Sequence, residues 1–147
     1  MVEIIIAIVI ITTSVLAAMV VTQKSIYVAR QSLHASQASF LLEEGAEVVR
    51  ILRDNAWSNI SSLSTEVDYY PTFSSPNWSL SVTPNTVGIF TRTVTVANVN
   101  RDSVSKDISE SGTDDPGTKL ITVTVSWSEG GVTVNKTLSF YIMDIFS

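Results

Sequence analysis

Five acids crowd into one stretch of the chain: Asp102, Asp107, Glu110, Asp114 and Asp115. Oxygen-rich segments of this kind can ligate Ca²⁺, which makes Asp102, Asp107, Asp114 and Asp115 the candidate metal ligands. Their spacing matches no defined calcium loop, and the plainer reading is a solvated surface segment. The single histidine, His34, has no acid at a triad-like spacing, and with one histidine no imidazole cluster can be assembled. The absence of cysteine excludes disulfides, thiolate metal sites and cysteine nucleophiles. No nucleophile–base set is visible, so no enzyme is expected, and nothing in the residue set calls for a cofactor. The remaining carboxylate of interest is Glu3, the only charge within residues 1–21. At the end of an apolar segment a carboxylate either snorkels to water or pairs with a cation supplied from outside the segment.

The elements that hold these groups follow from composition. The chain has 147 residues, 45 % hydrophobic and 16 % charged, and a mean hydropathy of +0.29. Fourteen acids against nine bases give a net charge of −5, which argues against direct nucleic-acid binding. The hydrophobicity sits in residues 1–21, MVEIIIAIVIITTSVLAAMVV. At a rise of about 1.5 Å per residue this run spans about 30 Å, the thickness of a bilayer's hydrocarbon core. No basic residue precedes it, so a retained membrane-spanning helix fits better than a cleaved secretory signal. Thr12, Thr13 and Ser14 are its one helix-weakening stretch, with hydroxyls able to bond back to the helix's own carbonyls.

The helical pattern runs on to about Asn55. Ile26, Ala29, Leu33, Phe40, Leu41, Val48, Val49, Ile51 and Leu52 recur at spacings of three and four, interrupted by Gln37 and Glu44. Glu47 and Arg50, then Arg50 and Asp54, are opposite charges at helical spacing. One helix over residues 1–55 is expected, roughly 80 Å long and too long for a globular domain of this size. Residues 56–89 are expected to be loop-rich, with Pro71, Pro76 and Pro84 as breakers and a short strand at Trp78–Thr83.

Three alternating strands then follow, over 90–99, 119–127 and 132–143, the last two joined by Ser128-Glu129-Gly130-Gly131. The expected inward faces are Phe90, Arg92, Val94 and Val96; Ile121, Val123, Val125 and Trp127; and Val132, Val134, Leu138, Phe140 and Ile142. Arg92 and Lys119 on such faces call for acidic partners, with Glu47, Asp54 and Asp102 as candidates. Asp115-Pro116-Gly117 reads as a turn. The whole is an α+β chain: residues 1–21 form a membrane or core helix, and residues 22–147 a head in which helix 22–55 lies across an antiparallel sheet at 90–143.

This layout resembles bacterial type IV pilins and pseudopilins, the class with a cleaved and methylated N-terminus. The likeness rests on Met-Val-Glu3 before the apolar helix and on Ala38-Ser-Phe-Leu-Leu-Glu-Glu-Gly45 through Arg53-Asp54-Asn55 and Trp57. It rests also on Phe90-x-Arg92-x-Val-x-Val, Arg101-Asp102, Lys119-x-Ile-Thr-Val-Thr-Val-Ser-Trp127 and Leu138-Ser-Phe-Tyr-Ile. The resemblance implies the pilin fold and a subunit stored in the membrane. It further implies processing by a prepilin peptidase and polymerisation by an inner-membrane machine into a helical homo-oligomer at the cell surface. Glu3 would pair with the terminal ammonium of a neighbouring copy. Ile4, Ile5, Ile6, Ile8, Val9, Ile10, Ile11, Val15, Leu16, Met19 and Val20 would form the filament core.

The family places its glutamate fifth, after an aromatic first residue. Here it is third, so either two residues precede Met1 or Met1 is the start residue of an atypical subunit, with processing and methylation falling at Met1 or at the residues before it. The family includes major pilins, minor pilins and pseudopilins, and serves adhesion, motility, DNA uptake and secretion alike. From another class, a single-pass anchored binding module would share the layout without needing Glu3. The sequons at Asn59, Asn77 and Asn135 would matter in a host that glycosylates asparagine.

Overall fold

A computed structural model describes residues 1–145. Helix α1 (Val2–Asn55) is followed by the one-turn α2 (Ser58–Ser61) and six strands: β1 (Tyr70–Ser74), β2 (Asn77–Ser81), β3 (Thr86–Val87), β4 (Phe90–Arg101), β5 (Thr113–Glu129) and β6 (Val132–Met143). Strands β3-β4-β5-β6 form an antiparallel sheet in that order, and β1-β2 form a separate hairpin. This is the expected α+β architecture, consistent with the pilin fold. The chain divides into two compact units, residues 1–37 and a head from Ala38 onward.

The head owes its core to one stripe of α1. Ala38, Leu42, Gly45, Ala46, Val49 and Leu52 are buried, each three or four residues from the next or sharing its turn. The sheet answers with Phe90, Val94, Val96, Ile121, Val123, Val125 and Trp127, all buried on the expected faces of β4 and β5. Ile60, brought in by α2, is fully buried in the same cluster. The expected stripe needs correction. Phe40, Ile51, Ile26 and Leu33 are exposed, because Ala38 and Leu42, rather than the bulkier Phe40, face the sheet. Small residues let the helix backbone come close.

Gly45 marks a close approach. A Cβ placed there would sit 2.7 Å from Val123 Cγ1 and 3.2 Å from Arg92 Cδ, so only hydrogen fits between helix and sheet.

Strand β6 also departs from expectation. Of its proposed inward residues only Ile142 is buried; Val134 and Phe140 are half-buried, while Val132 and Leu138 are exposed. An edge strand pairs on one side only, and here the helix does not extend over it fully.

The expected turn at Asp115-Pro116-Gly117 lies inside β5. Asn98 pairs with Lys119 and Asn100 with Asp114, so five steps along β5 oppose two along β4. The surplus residues bulge out of the ladder, which is where a proline lacking an N–H is tolerated. The hairpin after β5 is as expected, with Gly130 and Gly131 at φ 60° and 84° supplying the left-handed turn between Glu129 and Val132. Strand β1 had no counterpart in the expected loop, since its Pro71 reads as a breaker. The residue is accommodated in a two-stranded hairpin whose register pairs Pro71 with Leu80.

Candidate functional site: an unburied apolar helix on a packed head

Residues 1–37 contain the feature that asks for a function. An 18-residue window of α1 has a mean hydropathy of 2.9, long and apolar enough to cross a membrane, and none of it is buried within the chain. The residues assigned to a filament core, from Ile4 to Val20, each expose between 52 % and 65 % of their surface. In an isolated helix such values mean full access to the surroundings.

Glu3 lies in the first turn of α1. There its carboxylate complements the partial positive charge of the free N–H groups. Met1 precedes the helix, fully exposed, and its carbonyl accepts a bond from the Ile5 N–H at 3.4 Å. The carboxylate therefore stands in the first turn of an apolar helical segment.

The three hydroxyl residues bond back as their position suggested. Thr12 Oγ1 donates to the carbonyls of Ile8 and Val9 at 2.8 and 3.0 Å, and Thr13 Oγ1 to those of Val9 and Ile10 at 2.9 and 3.0 Å. Ser14 Oγ donates to Ile10 at 2.7 Å. Each threonine's two contacts are alternatives for its one hydroxyl proton, and the protons of all three hydroxyls are taken up by the helix's own carbonyls.

The acidic segment is put to structural use. Asp102 Oδ1 accepts the N–H groups of Ser105 and Val104 at 2.8 and 2.9 Å. Those bonds, Ser105 foremost, hold its carboxyl below the usual carboxylate range. Asp115 Oδ2 accepts from Arg101 Nε at 2.6 Å, and this bond, with help from Thr118, lowers its carboxyl too. Arg101 also donates to the Lys106 carbonyl and to Thr118 Oγ1, so one guanidinium ties the loop to the bulged part of β5. Among the described residues no three His, Cys, Asp or Glu side chains come together to hold a metal. Asp102, Asp107, Asp114 and Asp115 are not assembled into a calcium site.

The buried cations find other partners than those expected. Arg92 pairs with Glu44, Nη1 to Oε2 2.8 Å, rather than with Glu47, Asp54 or Asp102. Glu44 interrupts the apolar stripe, which places it over the sheet. Arg92 Nε and Nη1 make no well-formed hydrogen bond among the described residues, and the guanidinium lies 5.8 Å from the Trp78 ring. Lys119 donates to Asn98 Oδ1 at 2.6 Å, the neighbour across the ladder, instead of to an acid. On the outer face Glu47 bonds Arg50 at 3.1 Å as its spacing implied, but Asp54 takes Arg53, at 2.7 Å, and not Arg50. Gly45 went unassigned by sequence reasoning. A glycine inside a helical pattern costs about 1 kcal/mol against alanine, and that cost was the available signal.

No protein-family model, curated protein or solved structure matches this chain. The functional reading therefore rests on the molecule's own physical features.

Proposed function

We propose that the chain is a structural subunit of a type IV pilin-like filament, held in a membrane by its N-terminal helix and polymerised through that helix. The observation that carries this reading is the apolar surface of residues 4–20, left bare beside a head that already closes its own core. Burying one such side chain is worth about 1.5–3 kcal/mol, so eleven of them represent tens of kcal/mol that water cannot offset. Lipid and a bundle of like helices both satisfy that surface, and exchanging one for the other costs little hydrophobic free energy.

Glu3 supports the polymer over a plain anchor. An anchor has no need of a carboxylate at the tip of its apolar segment. In a bundle, a carboxylate paired with a neighbour's terminal ammonium fixes the axial register of one helix against the next. Contacts between unlike surfaces of identical copies repeat without closing, which produces a fibre.

The test is a strain whose only copy of the subunit carries Glu3→Ala. The variant should remain in the membrane fraction while sheared surface filaments, counted by electron microscopy, fall at least tenfold. Intact mass of the native filament subunit should show an N-methyl group. Normal filament yield from the variant, or native material found solely as unassembled monomer, would overturn the reading.

A further inference from the structure

We propose that α1 carries an ionic docking surface for a second copy of this chain, on which Arg30 and Tyr27 of one copy meet Glu43 and Phe40 of the next. It rests on the filament reading and adds a contact beyond the apolar segment. Charge is sorted along α1. Residues 22–37 carry Lys24 and Arg30 and no acid, whereas residues 38–49 carry Glu43, Glu44 and Glu47 and no base. Most of these charges are engaged already. Glu44 neutralises the buried Arg92 at 2.8 Å, Glu47 accepts from Arg50 at 3.1 Å, and the Lys24 ammonium lies 5.8 Å from the Tyr27 ring. Arg30 and Glu43 are the exceptions. Both are exposed, and neither enters an ion pair or hydrogen bond with any described residue.

Each of these two charges has an aromatic one turn before it. Tyr27 precedes Arg30 by three residues and Phe40 precedes Glu43 by three, so each aromatic shares a helix face with its charge. Gln31 donates to the Tyr27 hydroxyl at 2.9 Å, and with Lys24 it steadies a ring that still exposes 41 % of its surface. Phe40 exposes 67 %, although it belongs to a head that closes its core without it. A base beside an aromatic and an acid beside an aromatic are complementary, and an identical chain supplies both.

The shared spacing fixes a register. Two copies of α1 running parallel and displaced by thirteen positions set Arg30 against Glu43 and Tyr27 against Phe40 at once. No like charges meet in that register: Lys24 faces Gln37, Gln31 faces Glu44, and Gln37 faces Arg50. Other displacements do worse. Fourteen or seventeen positions give Arg30 an acid that Arg92 or Arg50 already holds, and twenty sets Arg30 against Arg50. Nineteen gives Glu43 to Lys24 and leaves Arg30 facing the buried Val49. An aromatic contact one turn from the ion pair keeps water from part of it, which strengthens the attraction. Each copy offers Arg30 to one neighbour and Glu43 to another, so the contact repeats without closing.

The test exploits a chain without cysteine. Gln23 and Ser36 are exposed, stand thirteen positions apart, and lie two turns before Arg30 and Glu43 on the same face, so the ion pair stays intact when both become cysteine. Full-length Gln23→Cys with Ser36→Cys, expressed in the native host and oxidised in membranes and sheared filaments, should give a ladder of disulfide-linked multimers. Either single variant should stop at dimer, and Ser25→Cys with Ser36→Cys, position 25 being on the far side of α1, should give no ladder. Adding Arg30→Glu or Glu43→Arg to the ladder-forming pair should weaken the ladder at least fivefold. Adding both should restore it to within about twofold, a rescue that general damage to the head would not produce. No ladder, a ladder indifferent to either reversal, or reversals that fail to rescue each other would overturn the docking surface. Native filaments seen by electron microscopy without a ladder overturn this contact and leave the filament standing. A charge-dependent ladder in membranes of cells that make no filament upholds the contact and overturns the filament.

Discussion

Removing Glu44 should destabilise the head more than removing the buried cation it neutralises. Arg92 is 4 % exposed and Glu44 44 % exposed, so water can take over the carboxylate but not the guanidinium. Breaking a fully buried ion pair costs about 3–5 kcal/mol because an unpaired charge stays behind. With one partner half in solvent, about half of that, roughly 2 kcal/mol, is expected for Glu44→Gln. Arg92→Met takes the charge out of the core and leaves Glu44 to water. It forfeits mainly the contact with Trp78, worth about 0.5–1 kcal/mol. The double variant should therefore match Arg92→Met, with a coupling of roughly 2 kcal/mol.

The assay is urea and thermal unfolding of the full chain in micelles followed by tryptophan fluorescence. Trp57, Trp78 and Trp127 all belong to the head, so the signal reports on that unit. Glu44→Gln should lower the thermal midpoint by about 10 °C. A larger loss for Arg92→Met than for Glu44→Gln, together with additive effects in the double variant, would refute the charge argument. Arg92 would then act through the packing of its aliphatic stem.

Two further predictions concern the head. Gly45→Ala gains about 1 kcal/mol of helix propensity and loses about 1–3 kcal/mol to the clash with Val123, so a net loss is expected. Pairing it with Val123→Ala should give a favourable coupling in the same unfolding assay, and simple additivity would show that helix and sheet can part freely. Asp115 has a folded pKa below its unfolded value of about 3.9, so its contribution is complete above that pH and is lost as pH falls through the lower folded value. Stability should be insensitive to this group between neutrality and about pH 5 and should drop below about pH 4. Asp115→Asn should flatten that acid limb in unfolding curves taken across the range.

The elements of the chain were legible where one local rule dominated. The apolar run and the three-and-four spacing gave a single helix to Asn55, and period-two alternation gave β4, the core of β5, and β6. Legibility failed where tertiary geometry chose between equivalent local readings. Phe40 looks like a core residue by hydrophobicity, yet the close approach at Gly45 favours the neighbouring small-residue face. Asp115-Pro116-Gly117 carries turn chemistry, yet pairing of Thr113 and Asp114 beyond it keeps the segment in the sheet as a bulge. The partners of Arg92 and Lys119 depend on which side chains cross the interface, which no spacing along the chain encodes. Glu3 and the apolar helix were evident from composition alone.

The self-contained hydroxyls of Thr12, Thr13 and Ser14 bear on speed as well as on energy. A helix whose polar side chains were bonded to outside groups would have to break those bonds each time its surroundings changed, and each break would raise the barrier. Here the protons already rest on the helix's own carbonyls. Moving Thr12, Thr13 and Ser14 from one apolar environment to another rewires none of their hydrogen bonds. The kinetic cost of the exchange is left to side-chain repacking, and traffic in either direction can be fast.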